Sequence, residues 1–217
     1  MKTICRIMIA LCLPLLFCGQ ARAVHTGPYV GAFFGGNLLQ DSKATDGLGS
    51  FNLSYNPALQ GSIVVGWDLG PGNPLGGEGR IELEYTRRSN PLDHAEFVEG
   101  KATGGGDLTV DSLLLNFAGV VRTQSRWSPY VTIGIGAARL DASELKVSGR
   151  PLSNDTATTF AYQVGGGVDY ALTDSLSLDL GYRFFGAIPT RFTEPNGLKF
   201  ETDYLSHSIV LGLRLGF

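Results

Sequence analysis

After residue 18 this chain of 217 residues contains no cysteine, its three being Cys5, Cys12 and Cys18. Beyond that point a disulfide scaffold, a zinc-thiolate centre and a cysteine nucleophile are all excluded. There is no basic excess either: Lys+Arg 17 stand against Asp+Glu 20, a formal net charge of -3, so nothing is available to track a nucleic-acid backbone. No nucleic-acid partner is expected. Proline is scarce, at 10 residues, and the 30 glycines follow no Gly-X-Y period, which removes collagen and Pro-rich linkers. With 43% hydrophobic and 17% charged residues the composition is not that of a disordered chain.

The first 23 residues read as a leader. Lys2 and Arg6 give a positive start, Ile7 to Phe17 an apolar run and Ala21-Arg22-Ala23 a small-residue cleavage site, the pattern of a cleaved secretory signal peptide over residues 1–23. That run is too short to span a bilayer, and no second run of 18 apolar residues follows it. Removing the leader takes away three bases, Lys2, Arg6 and Arg22, and no acid, so the formal charge moves from -3 to -6. An exported chain without disulfides or an apolar helix can enter a membrane only as strands.

What the chain has instead is alternation. From Ser175 to Phe184 the even positions are Leu176, Leu178, Leu180, Tyr182 and Phe184, and the odd ones Ser175, Ser177, Asp179, Gly181 and Arg183. That is a period of two without exception. The last segment repeats it, with Leu205, Ile209, Leu211, Leu213, Leu215 and Phe217 on one face and Ser206, Ser208, Gly212, Arg214 and Gly216 on the other. Only His207 and Val210 are out of place. Similar runs cover 58–68, 80–86, 112–121, 130–138 and 159–172, and the glycine-rich segment 28–38, whose facing the pattern leaves open, makes eight expected strands.

Eight such strands fit a soluble sandwich or lipocalin-like barrel, or a membrane barrel with its apolar face outward. The connections separate these. Those at about 39–56, 89–106, 141–156 and 187–203 are long, whereas Thr123 to Trp127 and Thr173-Asp174 are short. One elaborate end and one trimmed end is the rhythm of an outer-membrane barrel with long outer loops and short periplasmic turns. The polar face agrees: Arg80, Glu82, Glu84, Asp169, Asp179, Arg183 and Arg214 can pair inside a narrow barrel while the apolar face meets lipid. The expected fold class is all-β, an eight-stranded antiparallel up-and-down transmembrane β-barrel over residues 24–217 with four long extracellular loops.

The surplus glycine then has a place. Gly134, Gly136, Gly165, Gly167, Gly181, Gly212 and Gly216 fall on the charged face, small beside large, as narrow barrels are filled. Trp67, Trp127 and Tyr170 near the short-turn end, and Tyr204 and Phe160 near the long-loop end, are expected in interfacial girdles. Glu82 and Glu84 share a face, but an acid/base pair needs a cleft between its members, and Arg80, Arg183 and Arg214 offer structural pairing instead. Arg87-Arg88 either meets lipopolysaccharide phosphates or closes the loop base. His25, His94 and His207 have no metal-ligand spacing; no cofactor and no metal is expected.

At this point the residues carry a resemblance. The segment Ser128-Pro129-Tyr130-Val131-Thr132-Ile133-Gly134-Ile135-Gly136, the run Tyr162-Gln163-Val164-Gly165-Gly166-Gly167-Val168-Asp169-Tyr170 and the strand Leu180-Gly181-Tyr182-Arg183-Phe184 resemble the small OmpA-like and opacity-type surface-antigen outer-membrane barrels of Gram-negative bacteria. The terminal Phe217, with aliphatics at alternate positions before it, is similar to the C-terminal signal that such proteins present to the barrel-assembly machinery. The likeness is specific from about Ser112 onward and rests on pattern alone before that. It implies an eight-stranded barrel with both ends periplasmic, four mobile outer loops, contact with outer-membrane lipid and lipopolysaccharide, and no catalysis. Outer-membrane lipid A deacylases resemble the chain in fold and place a His and a Ser two residues apart on one strand face. Here His207 and Ser208 are adjacent and so point to opposite faces, which disfavours a dyad.

Three functions stay open in the sequence. The favoured one is a non-enzymatic outer-membrane barrel whose loops act in surface interaction or envelope integrity, with the loop partner unnamed. A narrow porin-like channel for ions or small solutes is the alternative, and a lipid-modifying enzyme comes last.

Overall fold

The computed structural model describes residues 26–45, 50–71, 78–97, 100–142, 145–153, 155–193 and 199–217. The expected signal peptide and His25 lie outside the described residues. Thirteen strands are formed among them: β1 (Gly27–Leu39), β2 (Ser42–Thr45), β3 (Ser50–Tyr55), β4 (Ala58–Asp68), β5 (Gly79–Phe97), β6 (Gly100–Gly105), β7 (Asp107–Val120), β8 (Trp127–Asp141), β9 (Leu145–Val147), β10 (Arg150–Ser153), β11 (Thr156–Ala171), β12 (Leu176–Thr193) and β13 (Lys199–Gly216). Eight of these, β1, β4, β5, β7, β8, β11, β12 and β13, pair in that order, every pair antiparallel. β13 returns to β1 with Gly216 opposite Tyr29, which closes the barrel and leaves no sheet edge at that level.

The period-two pattern dictates which face goes where. Outward positions are apolar and open, with Val131 68%, Ile133 60% and Ile135 54% exposed on β8 alone, and Phe34, Leu59, Ile63, Leu211 and Leu213 continue the belt around the barrel. A water-soluble barrel would bury those residues; a continuous apolar belt of this extent suits lipid. β1, ambiguous in the sequence, turns Tyr29, Phe33, Asn37 and Leu39 inward and Val30, Phe34 and Leu38 outward.

Four strands run on past the predicted ends. β5 extends from the expected 80–86 to Phe97, β7 begins at Asp107, β12 reaches Thr193 and β13 starts at Lys199. Much of the four ranges read as loops is therefore pleated sheet. β2 and β3 form a hairpin between β13 and β5, β6 pairs with the upper half of β5, and β9 and β10 extend from β6. The reason is packing. Inner faces of these extensions carry Phe51, Leu53, Leu92, Ala95, Leu108, Leu140, Leu145 and Phe192, which form one buried apolar cluster with Ala161, Phe185 and Tyr204 over the top of the barrel. β11 and β12 stay paired only as far as Ala161 and Ala187; above that, β11 keeps β8 and β12 keeps β13, with a register shift between Ala187 and Thr190.

Candidate functional site

The side chains with chemistry to offer converge on the barrel interior, because every strand sends alternate residues there. Arg80 and Glu82 come from β5, Asp169 from β11, Asp179 and Arg183 from β12 and Arg214 from β13; all are buried. Arg80 Nη1 lies 2.5 Å from Asp169 Oδ2, and Arg80 Nε 3.5 Å from Glu82 Oε1. Arg214 Nη2 is 2.6 Å from Asp169 Oδ1 and also pairs with Asp179. Two tyrosines not singled out in the sequence complete this layer. Tyr29 donates to Glu82 at 2.5 Å, and Tyr130 donates to Asp179 at 2.8 Å while accepting from Arg183 at 3.1 Å. The Tyr130 ring also lies 4.7 Å beneath the Arg80 guanidinium. Tyr130 shares the period-two face of Thr132, Gly134 and Gly136, whereas Tyr29 became legible as inward-facing only once β1 had been given a facing.

Glu84 departs from the expected arginine pairing. Its carboxylate accepts from three neutral donors, Asn116 Nδ2 at 2.6 Å, Gln163 Nε2 at 3.1 Å and Thr86 Oγ1 at 3.1 Å. Glu82 and Glu84 are thus each enclosed by protein donors, with no cleft between them for a substrate. A cavity of about 30 Å³ at the short-turn end, lined by Tyr29, Asp68, Arg80, Ser175, Ser177, Arg214 and Gly216, has room for a water or two and no more.

A second polar layer lies above. Asn37 donates to Asn90 at 2.7 Å and to Tyr204 at 3.3 Å, and Ser208 Oγ sits 2.9 Å from both Asn37 Oδ1 and Gln60 Oε1. Arg88 donates to Ser112 at 2.9 Å and stacks 4.1 Å over Phe185. Its neighbour Arg87 faces out, so the Arg87-Arg88 pair is divided between lumen and exterior. Tyr204, expected in the outer girdle, is 1% exposed and belongs to this inner layer, edge-on to Phe185. Its strand parity, shared with Ser206 and Ser208, puts it inside whatever its height.

The other aromatics expected in the girdles face out. Trp67 is exposed at the short-turn end of β4, and Trp127 and Tyr170, directly opposite each other on β8 and β11, meet with ring centroids 4.6 Å apart, tilted by 52°. Phe217 is exposed beside Pro28, whose carbonyl accepts its backbone N–H at 3.2 Å. His207 is on the outer face, its ring nitrogens 2.5 Å from Gln40 Nε2 and from Tyr182 Oη, whereas Ser208 points into the lumen. The two cannot act on one substrate. Among the described residues no group of three His, Cys, Asp or Glu side chains is arranged to hold a metal.

The likeness to known proteins follows the same lines. The outer membrane protein PagN of Salmonella typhimurium is 24% identical over 183 residues, covering 72% of each chain. Among solved structures, OprG of Pseudomonas aeruginosa superposes with a TM-score of 0.60 at 16% identity, covering 90% of this chain and 99% of that one. Neisserial surface protein A does so at 0.52 and 22%, covering 88% and 98%. These structures share the fold with this chain. The family model described as outer membrane protein beta-barrel domain matches residues 8–217, and the chain, a closed eight-stranded antiparallel barrel with an outward apolar belt, belongs to that family.

Proposed function

We propose that this protein is a non-enzymatic barrel of the Gram-negative outer membrane, exported through a cleaved leader, that holds a folded extracellular surface for contact with its surroundings. The observation that carries this reading is that, among the described residues, buried side chains occupy the interior both in its charged lower layer and in its upper part. Below, Arg80, Asp169, Asp179 and Arg214 cross the lumen as an ion-pair network; above, the apolar cluster around Leu53, Leu140, Phe185 and Phe192 seals it. A filled lumen favours an anchor over a pore. The β-structured extensions favour a surface with fixed shape over four loose loops, and with it a role in surface interaction or envelope integrity.

Planar-bilayer recording of the refolded chain tests this. Silence is expected. Stable single-channel steps abolished by neutralising Arg183 or Glu82 would overturn the filled-barrel reading in favour of a narrow channel. A mobility shift between unboiled and boiled samples on gels tests membrane-barrel formation independently.

A further inference from the structure

The wall of the barrel carries an open seam above the level at which it closes. β11 and β12 are paired from Ala171 opposite Ser177 up to Ala161 opposite Ala187, and there their ladder stops. Both strands run on, β11 keeping β8 as far as Thr156 opposite Asp141, and β12 keeping β13 as far as Thr193 opposite Lys199. Each therefore has a free edge facing the other strand. The cause lies in β12, whose register slips between Ala187 and Thr190 and whose Pro189 brings no N–H to a ladder. At the foot of the seam Thr159 Oγ1 donates to the Ile188 carbonyl at 3.2 Å.

Parity decides which backbone groups the β11 edge presents. Ala171 donates to Arg126 and Ala142 to Asp155, so the odd-numbered residues of β11 bond β8, while Leu172, donating to Leu176, shows that the even-numbered ones turn to β12. Thr156, Thr158 and Phe160 thus aim their backbone into the seam. Thr156 N–H is met by Asp155 Oδ1 at 2.8 Å, whereas no described residue meets the N–H and C=O of Thr158. The segment Thr156-Ala157-Thr158-Thr159-Phe160 is rich in strand-forming residues and contains neither Pro nor Lys, the residues that blunt exposed edges. β10, which ends the upper sheet, does carry such a residue in Pro151. On the inner side of the edge Ala157 is half-buried against the apolar cluster, and on the outer side Thr158 is exposed.

We propose that the β11 edge from Thr156 to Phe160 takes an extended peptide segment of a partner protein as an added antiparallel strand, with the Thr158 N–H and C=O at the centre of the pairing. This names a partner class for the surface-contact reading above and rests on that reading. Strand addition draws affinity from main-chain bonds and selectivity from alternate side chains. The alternation here asks for β-branched apolar residues beside Ala157 and Thr159, where the cluster lies, and for polar ones beside Thr158. A second copy of the chain fits poorly. Two barrels in one membrane, related by an axis along its normal, would bring their β11 edges together in parallel, the weaker pairing.

The test uses the refolded chain in phosphatidylcholine nanodiscs and a fluorescent peptide of alternating Val and Thr with a Lys at each end, followed by anisotropy. Saturable binding below about 1 mM is expected. A twin peptide N-methylated at each Val and Thr keeps every side chain and loses the N–H donors, and should bind at least about tenfold more weakly. Equal affinities, or no saturable binding of either peptide, would overturn the proposal with no variant required. Thr158→Pro removes the N–H that faces the seam without touching the β8 ladder, and should abolish binding that Thr158→Val retains; a Thr158→Pro chain that binds like the parent also overturns it. The gel shift on heating, run on each sample, separates failure of the site from failure of the barrel. Absent peptide binding with silent bilayers would remove this edge as a site and leave the surface-contact reading standing.

Discussion

Arg80 and Asp169 meet at 2.5 Å across the lumen although 89 residues of chain and the intervening strands β7 and β8 separate them. Each is buried, so bulk water is not there to solvate either charge. Removing one partner of such a pair strands the other and costs about 3–5 kcal/mol, while replacing both by apolar groups of similar size is often near neutral. Asp169→Asn is therefore expected to destabilise the barrel by about that amount in urea unfolding from lipid vesicles. Arg80→Met with Asp169→Leu should recover part of the loss, limited by Arg214, which also pairs with Asp169. A double variant as unstable as the sum of its singles would contradict a direct coupling.

Glycine makes the second prediction, because its two settings differ. At Gly212, on the inner face, an added Cβ would lie 2.2 Å from Phe33 Cδ1, an aromatic ring that cannot yield without repacking. At Gly61, on the outer face, an added Cβ would meet nothing within 4 Å. Gly212→Ala should cost about 1–3 kcal/mol, the range for overpacking, and Phe33→Leu in the same chain should relieve it. Gly61→Ala should stay within about 0.5 kcal/mol of the parent. Equal costs at the two positions would mean that strand propensity, not lumen space, explains the glycine.

Tyr204 separates two ways of reading an aromatic near a membrane boundary. Its hydroxyl donates to Asn90 at 3.2 Å and accepts from Asn37 at 3.3 Å inside the barrel. Tyr204→Phe is expected to cost about 1 kcal/mol, the net worth of a buried hydrogen bond, since Asn90 Oδ1 keeps Asn37 as a donor. A girdle residue would tolerate the same change, since a phenylalanine also sits well in the interface.

The same residue shows what was legible in the sequence and what was not. The number of barrel strands and the facing of all but β1 follow from the period of two, which is why Arg80, Glu82, Asp169, Asp179, Arg183 and Arg214 were found on one face before their partners were known. Height along the strand says nothing about facing, and placing Tyr204 by height put it on the wrong side. Partner choice was not legible either: Glu84 takes three neutral donors because Asn116 and Gln163 reach it from β7 and β11, a fact of register and not of composition. Nor did the extensions announce themselves. Leu53, Leu92 and Phe192 lie in stretches mixed with Asn, Asp and Thr, and only the closed topology brings them over one another.

That apolar cluster gives the last prediction. Leu140 is 1% exposed at the upper end of β8, within the cluster that joins the barrel to the sheet extensions. Leu140→Ala leaves a cavity whose cost falls in the range of about 2–5 kcal/mol. The loss acts on the extension and not on the lipid-facing belt, which Leu140 does not touch. Limited proteolysis of intact cells or of outward-oriented vesicles should therefore cut the segments beyond the barrel faster in the variant. The heat-dependent gel shift of the membrane barrel should survive. If the extensions were loose loops, cleavage would already be fast in the parent chain and the substitution would change nothing; faster cleavage with the barrel intact assigns the cluster to holding that surface in shape.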